Sequence, residues 1–220
     1  MDMLRLSFML AIMSALTCMA ESNDAATGQQ FKPANIERGR HAYVMCATCH
    51  GERGEGMPSI GSPGLGGQKI GYIVGQLRAY RNDLRGVHPS DVQGARMRML
   101  AKSIPDEALL TDLASYIGLL KASSGDRSVK GNLVAGKKLY AANCVSCHGL
   151  SAEGRDDIGA PSLIGLGDAY TLTQLENFRS KVRTGQGEVS AAMTTSVRNS
   201  LQDQNAMRNM VAYLSSLTPP

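Results

Sequence analysis

The chain has 220 residues, enough for one large domain or two small ones. Apolar residues make up 43%, yet aromatics are only 5%, Trp is absent and 24 residues are glycine, so a small core lacks bulk and needs a disulfide, a metal or a large bound group. The net charge of +4 is mild, and no dense Lys/Arg run interleaved with aromatics argues for nucleic-acid binding.

The N-terminus, "MDMLRLSFMLAIMSALTCMAESN", places Arg5 before an apolar run at residues 6–16 and small residues ending at Ala20. This is the pattern of a secretory signal peptide over residues 1–20. The run is too short to span a bilayer, and no later stretch is long and apolar enough to do so. The mature chain is expected to be exported and to lack a transmembrane segment. Lipid attachment at Cys18 stays open, although "ALTC" is a poor lipoprotein site.

Residues 35–121 then repeat as residues 133–218. At an offset of 98, Cys46, Cys49 and His50 recur as Cys144, Cys147 and His148, and Pro63 recurs as Pro161. At the same offset Gln76-Leu77 recurs as Gln174-Leu175 and Tyr80-Arg81 as Phe178-Arg179. At an offset of 97, Gly39, Tyr43 and Tyr116 recur as Gly136, Tyr140 and Tyr213. These coincidences define two copies of one domain. The polar stretch "ASSGDRSVKGN" at 122–132 is the linker.

Each copy reads as helix, Cys motif, Gly/Pro-rich loop, helix, loop, helix. In the first copy "IERGRHAYV" leads into Cys46. "KIGYIVGQLRAYR" sets Ile70, Ile73, Val74, Leu77 and Tyr80 on one helical face. "PDEALLTDLASYIGLLK" opens with Pro105 and two acids, then stripes Leu109, Leu113, Tyr116, Ile117 and Leu120. In the second copy "TLTQ" at 171–174 reads as a capping box opening the middle helix. No segment alternates with strand periodicity. The fold class expected is all-α, with two tandem domains joined by a short linker. Gly39 and Gly136 are expected to let another helix approach, and Tyr43/Tyr116 and Tyr140/Tyr213 to pack where first and last helices cross.

Cys-x-x-Cys-His occurs at residues 46–50 and 144–148. Two Cys three positions apart lie on one side of a helical turn. They can add as thioethers to the two vinyl groups of a haem, and the adjacent His then reaches the iron. A zinc site wants four ligands, and no second Cys or His cluster accompanies either motif. A thioredoxin-like pair wants a βαβ context, which is absent. Two motifs in matching positions of a repeat, behind a signal peptide, imply two covalently bound haem c groups.

The opposite face of each iron needs its own ligand. The second copy has no His beyond His148. Its Met residues after Cys147 are Met193, Met207 and Met210, and the latter two sit in the last helix, so Met193 is the candidate. In the first copy the candidates are Met97 and Met99, two apart and so on opposite sides of a helix. The repeat offset favours Met97; Met57, in a Gly-rich loop near the Cys motif, is the outsider. Iron ligands are thus His50, Met97, His148 and Met193. Pro63 and Pro161 stand where a carbonyl could accept the ring N–H of each His.

The chain resembles the class I cytochromes c, and specifically the dihaem cytochrome c4 family, over about residues 35–218. The resemblance rests on both Cys motifs, on "PGLGGQ…YIVGQLRAYR" and "PSLIGLG…LTQLENFR", and on "MRMLAKSIPDEALLTDLASYI". It implies a periplasmic protein with two His/Met haems that passes electrons to terminal oxidases. The family's spacing puts the ligand Met seven residues before the apolar residue opening the last helix. Met97 before Ile104 fits, whereas Met193 before Leu201 is one residue longer.

The function expected is electron transfer, to redox proteins or a membrane-bound oxidoreductase or oxidase, with no catalytic residues. The alternative is a dihaem enzyme, a peroxidase or a sulfur-compound oxidoreductase. Such an enzyme needs an open or displaceable ligand and acid/base residues beside it, and no carboxylate or His cluster lies near a Cys motif in the sequence.

Overall fold

The computed structural model describes residues 34–184 and 188–219. The expected signal peptide and Cys18 lie outside the described residues. The first copy supplies helices α1 (Ile36–His50), α2 (Ile70–Arg81), α3 (Val92–Lys102) and α4 (Glu107–Ile117). The second supplies α5 (Leu133–Asn143), α6 (Val145–His148), α7 (Asp168–Arg179), α8 (Glu188–Ser200) and α9 (Gln204–Ser216). Among the described residues there is no strand, only isolated bridges at Met57↔Ser62 and Arg155↔Ala160. No helix among them is long and apolar enough to cross a membrane.

Short polar side chains start most of these helices. Asn35 and Asn132 accept from the backbone N–H groups of Arg38 and Ala135, each at 3.0 Å. Asp106 and Asp203 do the same for Leu109 and Ala206, each at 2.7 Å. Such a cap contributes about 1 kcal/mol. The expected capping box at 171–174 is not formed. α7 begins at Asp168, and the Thr171 hydroxyl donates to the Gly167 carbonyl at 2.8 Å, inside the helix.

The first and last helices of each copy cross in contact. A Cβ on Gly39 would lie 2.1 Å from the Asp112 carbonyl oxygen in α4, and one on Gly136 would lie 2.0 Å from the Asn209 carbonyl oxygen in α9. Only hydrogen fits at these crossings. Beside them Tyr43 and Tyr116 stack at 5.4 Å between ring centroids, and Tyr140 and Tyr213 at 5.6 Å, as expected. Asp112 and Asn209 also close the neighbouring helix starts, accepting from the Asn35 and Asn132 backbone N–H at 2.8 and 2.7 Å.

Each copy has its own core. The first gathers Tyr43, Ile73, Leu77, Tyr80, Leu110, Leu113, Ala114 and Ile117. The second gathers Tyr140, Leu175, Phe178, Val197, Leu201, Met207, Met210, Val211 and Leu214. Leu110 rather than Leu109 carries the buried stripe of α4, and Ile70 is exposed at the start of α2. Two segments read as loops, before α4 and α9, are helices α3 and α8. α3 starts on the buried Asp91, whose side chain accepts from Gly94 N–H at 2.9 Å. Its sequence, VQGARMRMLAK, has few apolar positions, so periodicity gave no signal.

The copies differ at the Cys motif. In the first, α1 runs unbroken through Cys46, Cys49 and His50. In the second, the chain stops at Asn143 and restarts as α6. The offset between copies changes there from 97 to 98, because three residues separate Tyr140 from Cys144 and two separate Tyr43 from Cys46. One extra residue turns a helix by about 100°, so the helix must break to aim Cys and His alike.

Candidate functional site

The two histidines end their helices in the same way. His50 and His148 are buried. His50 Nδ1 lies 2.9 Å from the Pro63 carbonyl oxygen, and His148 Nδ1 lies 3.0 Å from that of Pro161. A carbonyl can only accept, so Nδ1 donates and Nε2 keeps its lone pair. Burial pushes both imidazoles below their usual pKa, against the carbonyl bonds, which favour the protonated ring. Each side chain is therefore a neutral imidazole of fixed orientation with one free ligating nitrogen. Among the described residues, that nitrogen takes part in no hydrogen bond in either copy.

The loop after each His is tied to the first helix. Tyr43 Oη donates to the Gly51 carbonyl at 2.7 Å, and Tyr140 Oη to that of Gly149 at 2.6 Å. Gly51 and Gly149 have φ of 81° and 82°, a left-handed region that glycine enters without cost. Farther on, Gly56 and Gly154 donate to the carbonyls of His50 and His148 at 2.8 and 2.9 Å. These bonds bring the Pro63 and Pro161 carbonyls back onto the imidazoles.

The four motif cysteines form no disulfide. Cys46 and Cys144 lie half-buried against their cores. Burial pushes their thiols up to about 11. Cys147 is exposed, and Cys49 half-buried.

Met97 on α3 packs on the same core cluster as Cys46, while Met99 is 70% exposed. Met193 on α8 packs on the cluster that holds Cys144 and Val145. Met57 instead caps a short 3₁₀ turn and pairs with Ser62; Arg155 takes its place in the second copy. His88 is an exposed turn residue whose Nδ1 accepts from Ser90 N–H at 3.2 Å.

The donor set fits a haem in each copy. It offers two thiols at thioether spacing, a neutral imidazole with Nε2 free, and a thioether side chain on another helix of the same apolar cluster. Among the described residues no three His, Cys, Asp or Glu side chains are grouped to hold a bare metal ion.

A family model described as cytochrome c matches twice, over residues 36–121 and 133–218. The chain belongs to the cytochrome c family. This cytochrome is 28% identical over 202 residues to cytochrome c4 of Stutzerimonas stutzeri, covering 86% of this chain and 93% of that one. It is 32% identical over 158 residues to the cbb3-type cytochrome c oxidase subunit CcoP of Rhodobacter capsulatus, covering 66% of this chain and 49% of that one. Its fold matches the crystal structure of reduced recombinant cytochrome c4 from Pseudomonas stutzeri with a TM-score of 0.69 and 26% identity, over 84% of this chain and 100% of that chain. It also matches thiosulfate dehydrogenase (TsdBA) from Marichromatium purpuratum with a TM-score of 0.70 and 25% identity, over 84% of this chain but 40% of that chain. This cytochrome is thus a dihaem class I electron-transfer protein with two covalently attached haem c groups.

Sequence reasoning missed a cluster between the copies, formed by Tyr72, Gln76, Arg85, Tyr170, Gln174 and Arg183. Its members recur at an offset of 98, which was a readable signal.

Proposed function

We propose that this cytochrome is an exported, periplasmic electron carrier that hands electrons to a membrane-bound oxidoreductase or terminal oxidase and is not itself an enzyme. Cys46 and Cys49, and Cys144 and Cys147, hold the two haems. His50 with Met97, and His148 with Met193, would supply the protein ligands to the two irons. When bound, the haem supplies a reversible one-electron iron couple. An imidazole and a thioether from each domain would together leave no iron position open. The Pro63 and Pro161 carbonyls fix the imidazoles, and Met97 on α3 and Met193 on α8 pack on the same core clusters as Cys46 and Cys144.

The observation that carries this reading is the pairing, in each copy, of a locked imidazole with a half-buried Met on the same core cluster. A filled coordination sphere leaves no position for a substrate. The test is the spectrum of the holoprotein. Six-coordinate, low-spin iron in both oxidation states, inert to carbon monoxide and peroxide, is expected; a high-spin or carbon-monoxide-binding haem refutes it. Turnover against a panel of membrane oxidases identifies the acceptor.

The likeness to thiosulfate dehydrogenase favours a second reading, action on a sulfur compound. The chain spans only two fifths of that protein. Reduction of the ferric cytochrome by thiosulfate alone would support this reading, and the carrier reading expects none.

A further inference from the structure

The two methionine-bearing helices are held in place by different forces. At an offset of 96, Met97 stands against Met193, Arg98 against Thr194, Ala101 against Val197 and Lys102 against Arg198. Ala101 and Val197, one turn after each Met, are buried at 1% and 2% exposure, so this offset matches the inward faces of α3 and α8. The apolar grip along those faces is uneven. α3 buries only Gly94 and Ala101, which have almost no side chain, and half-buried Ile104 follows it. α8 buries Val197, and buried Leu201 follows it. With so little apolar area removed from water, α3 needs a further hold.

Charge supplies it. Arg98 Nε donates to one carboxylate oxygen of Asp83, and Lys102 Nζ donates to the other at 2.7 Å. Arg98 and Lys102 lie one turn apart, each about 100° round the helix from Met97 and Ala101. One face of α3 thus meets the core and the next face meets Asp83. The carboxylate is itself anchored. Asp83 lies just past the end of α2, with φ of 58°, where Leu84 N–H donates to the Ala79 carbonyl at 2.8 Å. Asp is among the few residues that enter this left-handed region readily. Hydrogen bonds from Lys102 and then Arg98 hold its carboxyl below the ordinary pKa of 3.8, so it is ionised at neutral pH.

The second copy keeps the turn and loses the clamp. At the position of Asp83 it carries Lys181, with φ of 62°. Thr194 Oγ1 donates inside α8, to the Ser190 carbonyl at 3.0 Å. Arg198 Nη1 donates to the Arg179 carbonyl at 2.9 Å, and Ser196 Oγ to that of Asn143 at 3.4 Å. Each of these bonds ends on a neutral backbone oxygen. Salt screens exposed ion pairs strongly and apolar contacts not at all.

We propose that Asp83 is a positioning residue for the first iron's methionine: it pins α3 to the end of α2 through Arg98 and Lys102, so that the seat of Met97 depends on charge and that of Met193 does not. This rests on Met97 and Met193 being iron ligands. The weak near-infrared band of ferric iron bound to methionine sulfur reads that separately.

The probe is imidazole, added in excess to the ferric holoprotein at about pH 8, where it is largely uncharged. At saturation, the near-infrared band decays at the rate at which each Met leaves. Met193→Ala protein keeps only the Met97 half of the band, and Met97→Ala protein only the Met193 half. Asp83→Asn, which keeps a residue suited to the left-handed turn, should raise the Met97 rate about three- to tenfold and leave the Met193 rate unchanged. Salt at about 1 M, where the Debye length is about 3 Å, should do the same in the protein with Asp83 and add nothing in Asp83→Asn. Asp83→Lys, a residue the second copy places in this turn, should loosen Met97 at least as much. Adding Lys102→Glu to it should restore most of the hold by pairing the reversed charges. A Met97 rate unmoved by Asp83→Asn overturns the proposal, as does an equal rise at both haems, which would mean general loosening. A double variant no slower than Asp83→Lys overturns it too, because charge would then not be the cause. Where a variant fails to fold, salt on the unmodified chain decides: one half of the band speeding while the other stays unmoved supports the clamp, and any other pattern refutes it. A missing band at the outset overturns the ligand reading, whereas a full band with unmoved rates overturns the clamp alone.

Discussion

Met97 and Met99 stand two residues apart on α3, yet they meet different surroundings. Met97 packs on the core that holds Cys46, and Met99 is 70% exposed. Two residues turn a helix by about 200°, so only one of the pair can face the core. Ferric iron bound to methionine sulfur gives a weak band at the near-infrared edge. Met97→Ala is expected to remove half of that band and Met193→Ala the other half, whereas Met99→Ala leaves it whole. Loss of the half-buried Met97 side chain should also cost about 1–2 kcal/mol in denaturant unfolding. If Met99→Ala is the variant that loses the band, the ligand assignment is wrong.

Helix crossings show how much one atom can matter to an element. At Gly39 a Cβ would sit 2.1 Å from a backbone oxygen of α4, which cannot move as a side chain could. Gly39→Ala should destabilise the first domain by about 3 kcal/mol, read as a lower urea midpoint. Gly75, exposed on α2, has nothing within 4 Å of where its Cβ would be. Gly75→Ala should therefore stabilise, by roughly 0.5–1 kcal/mol, because it reduces the freedom of the unfolded chain. A second link joins α2 to α4, where Glu107 pairs with Arg78 and Arg81. Burial raises the Glu107 pKa, but the hydrogen bonds from Arg81 and Arg78 outweigh it and hold the carboxyl below its ordinary value of 4.5. A depressed folded pKa gives stability that is present above the unfolded value and lost as pH falls through the folded one. Glu107→Gln should thus flatten the loss of stability below pH 4.5. The pair is about half exposed, so the difference should be under about 1 kcal/mol. An unchanged acid limb in the variant would show that the pair contributes nothing to stability.

For the whole molecule, charge sets how partners meet. The chain carries +4. Four propionates and two ferric porphyrin cores bring the ferric holoprotein to roughly +2, so steering of a partner is weak. Electron-transfer rates should fall gently as ionic strength rises and the Debye length shrinks to about 8 Å at physiological salt. Stopped-flow rates that stay flat, or that rise, with salt would point instead to an apolar docking face.

The sequence by itself determined the parts of this protein whose cause is local or repeated. Thioether attachment needs two Cys three residues apart with His next, and that spacing can be read along one turn. The duplication is legible because it repeats identities at fixed offsets, and the shift from 97 to 98 marks where α5 breaks from α6. The Pro63 and Pro161 carbonyls were legible as acceptors because they recur at the same distance from each His. Only the tertiary structure showed that the segments carrying Met97 and Met193 are helices; that of Met97 has few apolar positions. It alone set Met97 against the core and Met99 in solvent. It alone brought Arg85 beside Arg183. Along the chain each reads as a solvated charge. Their meaning comes from two copies packed face to face, which puts residues nearly a hundred positions apart in one partly buried cluster.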